Sequence, residues 1–281
     1  MNGLFVCMLS YLMVVNWTSA APNFSTAHKL GVVTSHFIHE ASGLAASRVH
    51  PGILYTHNDH GDGPNIYVID SATGHRVSTI HVQGAHNSDW EDIAYGPCSG
   101  GYCLYIADTG DSGSSNIIYL IREPASVHHD QGVHVYKQLH FSWSESDCET
   151  LMVDPQGEMF IISKVKGAAA KVAHVPKSGF DSGTTVALTN TVSLSFHTSH
   201  SDPTGGDLSP NGREVLLISH EKMYYWNVTS GDVLATLRTY PIEVPYLDEP
   251  QGEAVCWDSK GQGYYTLSEG HNQPLYYYSR S

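Results

Sequence analysis

A short acidic motif recurs along this 281-residue chain and limits what it can fold into. An acid opens a short apolar run five times: Glu40 in EASGLA, Glu91 in WEDIAY, Glu149 in CETLMV, Asp207 in GGDLSP and Glu253 in QGEAVCW. Successive acids stand 51, 58, 58 and 46 residues apart, near the period of one four-stranded propeller blade. The repeat predicts an all-β, five-bladed β-propeller with one carboxylate per blade turned toward a common axis. A six-bladed ring of about 43 residues per blade is the alternative, and the sequence supplies no sixth acid for it.

The 17 Tyr, 26 Gly and 13 Pro suit many short strands joined by tight turns. Acids outnumber bases 28 to 14, so the net charge of −14 argues against nucleic-acid partners and against an anionic membrane surface. Cations and cationic ligands stay open. Residues 1–20 carry an apolar run from Leu4 to Val15 followed by small residues, which reads as a secretory signal peptide; a retained anchor is the other reading of so short a run. The remainder, 21–281, is expected to be one secreted, monomeric propeller domain with no membrane insertion. Sequons at Asn23 and Asn227 agree with secretion. Cys98 and Cys103 flank a hairpin turn and are expected to form a local disulfide, with Cys148 and Cys256 as buried thiols.

A strand within Leu30–Ile38 precedes the first acid and has no earlier blade to join, while the last repeat stops one strand short. The two gaps match, which predicts closure of the final blade by the N-terminal strand. Single strands are also expected over Val133–Phe141 and Val233–Tyr240, and one within Thr184–Phe196.

The motifs EASGLA (Glu40–Ala45), HND (His57–Asp59), DWEDIA (Asp89–Ala94), DTGD (Asp108–Asp111) and PQGEAV (Pro250–Val255) resemble those of a group of secreted β-propeller proteins over most of the chain after residue 20. The resemblance implies a propeller and little about activity. One carboxylate per blade is also similar in logic to the calcium-activated nucleotidases (apyrases), five-bladed enzymes with axial calcium; that similarity is architectural.

Loops before the inner strands and after the second strands share one face of a propeller. The opening acids should therefore meet Asn58, Asp59, Asp108, Lys164, His220, Glu269 and His271 there, with His57 and His60 nearby. Clustered carboxylates oppose one another's ionisation unless a cation intervenes. Oxygen donors without Cys suit Ca²⁺, with Mg²⁺ and Mn²⁺ as further candidates. The structural alternative is that the acids accept hydrogen bonds from inner-strand amides. The loops His57–Gly63 and Asp108–Asn116 read either as calcium loops or as ordinary hairpin turns. No GxSxG, Walker or HExxH motif is present. The expected function is a metal-dependent hydrolase of a phosphoester or related ester. In that reading Glu40, Glu91, Glu149, Asp207 and Glu253 hold the metal, His220 or His57 carries the proton, and Lys164 offsets negative charge. A non-enzymatic extracellular binding or matrix propeller, with the cation as an axle, is the alternative; the partner is a small molecule or an extracellular ligand.

Overall fold

Runs of Val, Ile, Leu and Tyr set off by Gly, Asp and Asn turns form antiparallel strands throughout the computed structural model, which describes residues 21–111, 116–197 and 200–281. The proposed leader with Cys7, and residues 112–115 of the Asp108–Asn116 loop, lie outside the described residues. Five radial sheets make a five-bladed β-propeller, so the six-bladed alternative is set aside. The inner strands are Ala41–Ala46, Trp90–Cys98, Cys148–Val153, Gly205–Leu208 and Gly252–Trp257.

Both faces of each blade are covered by the next. Five apolar clusters fill the five gaps; Tyr55, Ile66, Trp90 and Ile93, for example, pack between blades one and two. Inner strands are consequently buried along almost their whole length and read as apolar or small-residue runs instead of alternating ones.

The last blade is completed by His28–Val33, which pairs antiparallel with Gln273–Ser279. The arm before it is anchored too. Phe24 packs edge-on against Tyr264 at 5.0 Å and lies under the Arg280 guanidinium at 5.4 Å, while Arg280 donates to both oxygens of Glu214 at 2.8 Å. Both ends of the described chain thus fasten blade five to blade four.

Two strand expectations are corrected, and the blade-three strand expected within Thr184–Phe196 is present as Thr191–Ser193. Val133–Phe141 is split: Gln131–His134 runs parallel along the outer edge of blade one, and Lys137–Ser142 belongs to blade two. The chain changes partner at Val135 and Tyr136, whose amides donate to Gln83 and Leu120 respectively. Within Thr184–Phe196, Val186–Ala187 similarly edges blade two and Thr191–Ser193 blade three. Such covering of open edges protects them from stray pairing. Val233–Leu237 is a short helix, because Asp232 caps it by accepting from the Ala235 amide at 2.9 Å; Ile242–Val244 supplies the outer strand instead. Cys98 and Cys103 form the disulfide, and Cys148 and Cys256 are buried free thiols. Among the described residues no helix is long and apolar enough to cross a membrane.

Candidate metal centre at the axial mouth

The closing contact of each blade's first hairpin positions the mouth. In four blades the residue just beyond the second strand donates its backbone N–H to the carbonyl of the residue just before the inner strand. Asp59 donates to Glu40 at 2.9 Å, Thr109 to Asp89 at 3.1 Å, Lys164 to Asp147 at 2.7 Å and Glu269 to Gln251 at 2.9 Å. In blade four the His220 amide donates to Oδ1 of Asp202 at 3.0 Å. Two circles of equivalent residues result: Glu40, Asp89, Asp147, Asp202 and Gln251, and outside them Asp59, Thr109, Lys164, His220 and Glu269.

A third circle is set by β-bulges. The register between first and second strands skips Ser42, Glu91, Glu149 and Glu253 in blades one, two, three and five. A bulged residue leaves the ladder and its side chain is re-aimed. Three carboxylates are thereby sent beneath the mouth, with residual exposures of only 4% for Glu91, 3% for Glu149 and 6% for Glu253. Blade four has no such shift over Gly205–Leu208.

Glu91 is the shared member of two oxygen triads. One joins it to Asp59 and Asp89, the other to Asp147 and Glu149, and within each triad one carboxylate oxygen from each residue lies within 4.8 Å of the others. Burial first, then the charge of Glu149, Asp59 and Asp89, holds the Glu91 carboxyl far above the usual carboxylate range. Burial and the Glu149 charge push Glu253 up to about 9. Burial likewise raises Asp59, Asp147 and Glu149. Lys164 answers one side of this charge: its ammonium lies 2.6 Å from Glu149 Oε1 and is drawn also by Glu253 and Asp147. On the other side Asp59 Oδ1 is buried with no hydrogen-bond partner. An all-oxygen donor set with a bare buried oxygen fits a hard divalent cation.

Loop Asp108–Asp111 is held against Glu91 by Asp89. Its amide donates to Asp108 Oδ1 at 2.8 Å, and its carbonyl accepts from both Thr109 and Gly110. Thr109 then ties blade two to blade three, exchanging hydrogen bonds with the backbone of Cys148.

The other expected site residues are divided between the mouth and the blade interfaces. Glu40 precedes its bulge by two residues, is 40% exposed in its side chain, and takes the position equivalent to Asp89. Asp207 sits down the inner strand, where its Oδ2 accepts from the Trp257 amide at 2.9 Å; Asp92 does the same for Leu151 at 2.8 Å. Asp207 is therefore a blade-to-blade fastener, and burial raises it to about 7. His57 is enclosed in the packing of blades one and two because its strand is buried on both faces. Its Nδ1 shares a hydrogen bond with the Asn58 carbonyl, its ring stands 5.8 Å from Trp90, and burial lowers its pKa to about 4. Asn58 is a loop clamp, accepting from the amides of His39 and Glu40 and donating to the Phe37 carbonyl and Asp62. Glu269 reaches the Gln251 amide group, and His271 lies beside His39 at the rim. His220 is at the mouth as expected, its Nδ1 2.8 Å from the almost fully buried Asp202 Oδ1, its side chain 30% exposed. Asp89, Asp147 and Asp202 were not singled out from the sequence.

The fold agrees with a comparison to solved structures. The PQQ-bound form of an aldose sugar dehydrogenase from Streptomyces coelicolor superposes with a TM-score of 0.54 at 13% identity, over 92% of this chain and 99% of that one. At that identity the likeness concerns the fold. No protein-family model and no curated protein matches the chain.

Proposed function

We propose that this propeller binds a calcium ion at the axial mouth and uses that mouth to hydrolyse a phosphoester or related ester. The observation that carries the reading is Glu91, buried and placed in both carboxylate triads, with a bare buried oxygen of Asp59 beside it. Asp59, Asp89 and Glu91 would hold the ion on the side that Lys164 leaves uncompensated, with Asp147 and Glu149 adjoining. When bound, such an ion supplies charge neutralisation and polarises an oxygen of the ester.

His220 supports the hydrolytic part. Asp202 accepts from its backbone and its Nδ1, which leaves Nε2 as the nitrogen available to carry a proton. Asp202 thereby acts as a positioning residue. Lys164, on the same circle of the mouth, meets anionic oxygen. The test is calcium-dependent hydrolysis of an activated phosphomonoester and phosphodiester by the wild type and His220→Ala. The expected outcome is a fall in turnover of about 10²- to 10⁴-fold with unchanged calcium affinity. Calcium binding without turnover by the wild type would favour the second reading, a binding propeller with the ion as axle, which is supported by the depth of Glu91, Glu149 and Glu253 below the rim.

A further inference from the structure

Far from the mouth, Asn227 ends the third strand of blade four and begins the triplet Asn227-Val228-Thr229. It borders two grooves. One, of about 510 Å³, is lined with polar groups that include Asp154, Asn211 and Arg213; the other, of about 520 Å³, runs past Tyr225, Ala235, Thr239 and Tyr240. The second groove exists because the outer strand Ile242–Val244 ends opposite Tyr225 and the capped helix Val233–Leu237 replaces the rest of it. Tyr240 is 80% exposed on this groove, the largest such exposure among the described large apolar side chains. Thr229, Ser230, Thr236 and Thr239 line the same groove, the last two donating their hydroxyl protons to the Asp232 and Thr236 carbonyls.

A flat aromatic face bordered by hydroxyls is the lining that suits a sugar, whose C–H faces pack on the ring while its hydroxyls bond the rim. The groove begins at the residue to which a sugar would be attached. We infer that Asn227 carries an N-linked glycan and that its first sugars lie in the groove against Tyr240. The occupant is thus part of the protein itself, and the inference rests on the reading that the chain is secreted. In the attachment, the C–N bond forms between Asn227 Nδ2 and the anomeric carbon of an oligosaccharide carried on a lipid pyrophosphate. The carbon–oxygen bond to the pyrophosphate breaks, the amide gives up one proton, and nothing is oxidised or reduced. The folded surroundings govern where the attached sugar packs.

The test is peptide mapping of the full-length chain secreted from a eukaryotic host, with and without amidase release of glycans. It is repeated on Asn227→Gln, Asn23→Gln and Tyr240→Ala. The expected results are a modified Asn227 peptide, loss of one glycan mass in Asn227→Gln, and several-fold faster release of the Asn227 glycan from native Tyr240→Ala at unchanged occupancy. Secreted protein modified at Asn23 with a bare Asn227 overturns the inference while leaving secretion intact. Equal release rates in wild type and Tyr240→Ala overturn the packing in the groove, and failure of secretion with both sites bare overturns inference and secretory reading together.

Discussion

A β-carbon on Gly110 would stand 1.9 Å from Oε1 of Glu91, and 2.3 Å from Oδ2 of Asp89. The backbone of the DTGD loop therefore runs directly against two of the oxygens assigned to the cation. Gly110 is required by this close approach. Gly110→Ala should weaken calcium binding at least tenfold by calorimetric titration, and should destabilise the protein by about 1–3 kcal/mol through the displaced loop. Unchanged affinity would remove Asp89 and Glu91 from the site.

Removing the central charge should separate repulsion from metal binding. In Glu91→Gln the chelated protein should melt no lower than chelated wild type, because a buried carboxylate opposed by Asp59, Asp89 and Glu149 is gone. Its calcium-induced gain should vanish. For wild type that gain should be about 2.7 kcal/mol at a hundredfold excess over Kd. Melting scans with and without calcium read both effects.

Stability without the cation should fall as pH rises. Glu253, raised to about 9, and Asp207, raised to about 7, keep protons in the folded state that the unfolded chain has released above about pH 4.5. The folded state binds more protons between those limits, so unfolding free energy declines from about pH 4.5 toward pH 9. Chelated protein should accordingly be most stable in mild acid, and saturating calcium should flatten the decline. Urea titrations at several pH values measure this.

Asp207 should behave as structure alone. Its Oδ2 satisfies the buried amide of Trp257, so Asp207→Ala should cost about 1–3 kcal/mol and leave calcium affinity within error. A large loss of affinity in this variant would return Asp207 to the metal set.

The count of blades and the closing N-terminal strand were legible because they depend on spacing and on matching gaps at the two ends of the repeat. Which acid of each repeat reaches the axis was not, since that depends on a bulge, and nothing in an apolar–polar pattern marks one. Glu40 precedes its bulge and Asp207 lies below the mouth, although each opens an apolar run as Glu91 does. A finer signal was present. Ser88-Asp89-Trp90-Glu91 and Ser146-Asp147-Cys148-Glu149 repeat the pattern S-D-x-E, pairing each bulged Glu with the acid two residues earlier. His57 misled for another reason: the HND motif points to a loop, yet its strand continues through Asn58 with both faces covered.

The most direct measurement is the metal content of the purified protein by elemental analysis, paired with melting before and after chelation. The account predicts about one calcium ion per chain and a melting temperature that drops on chelation and returns with calcium. No bound metal and superimposable melting curves would mean that Asp59, Asp89 and Glu91 share protons instead of a cation, and would contradict the proposed site.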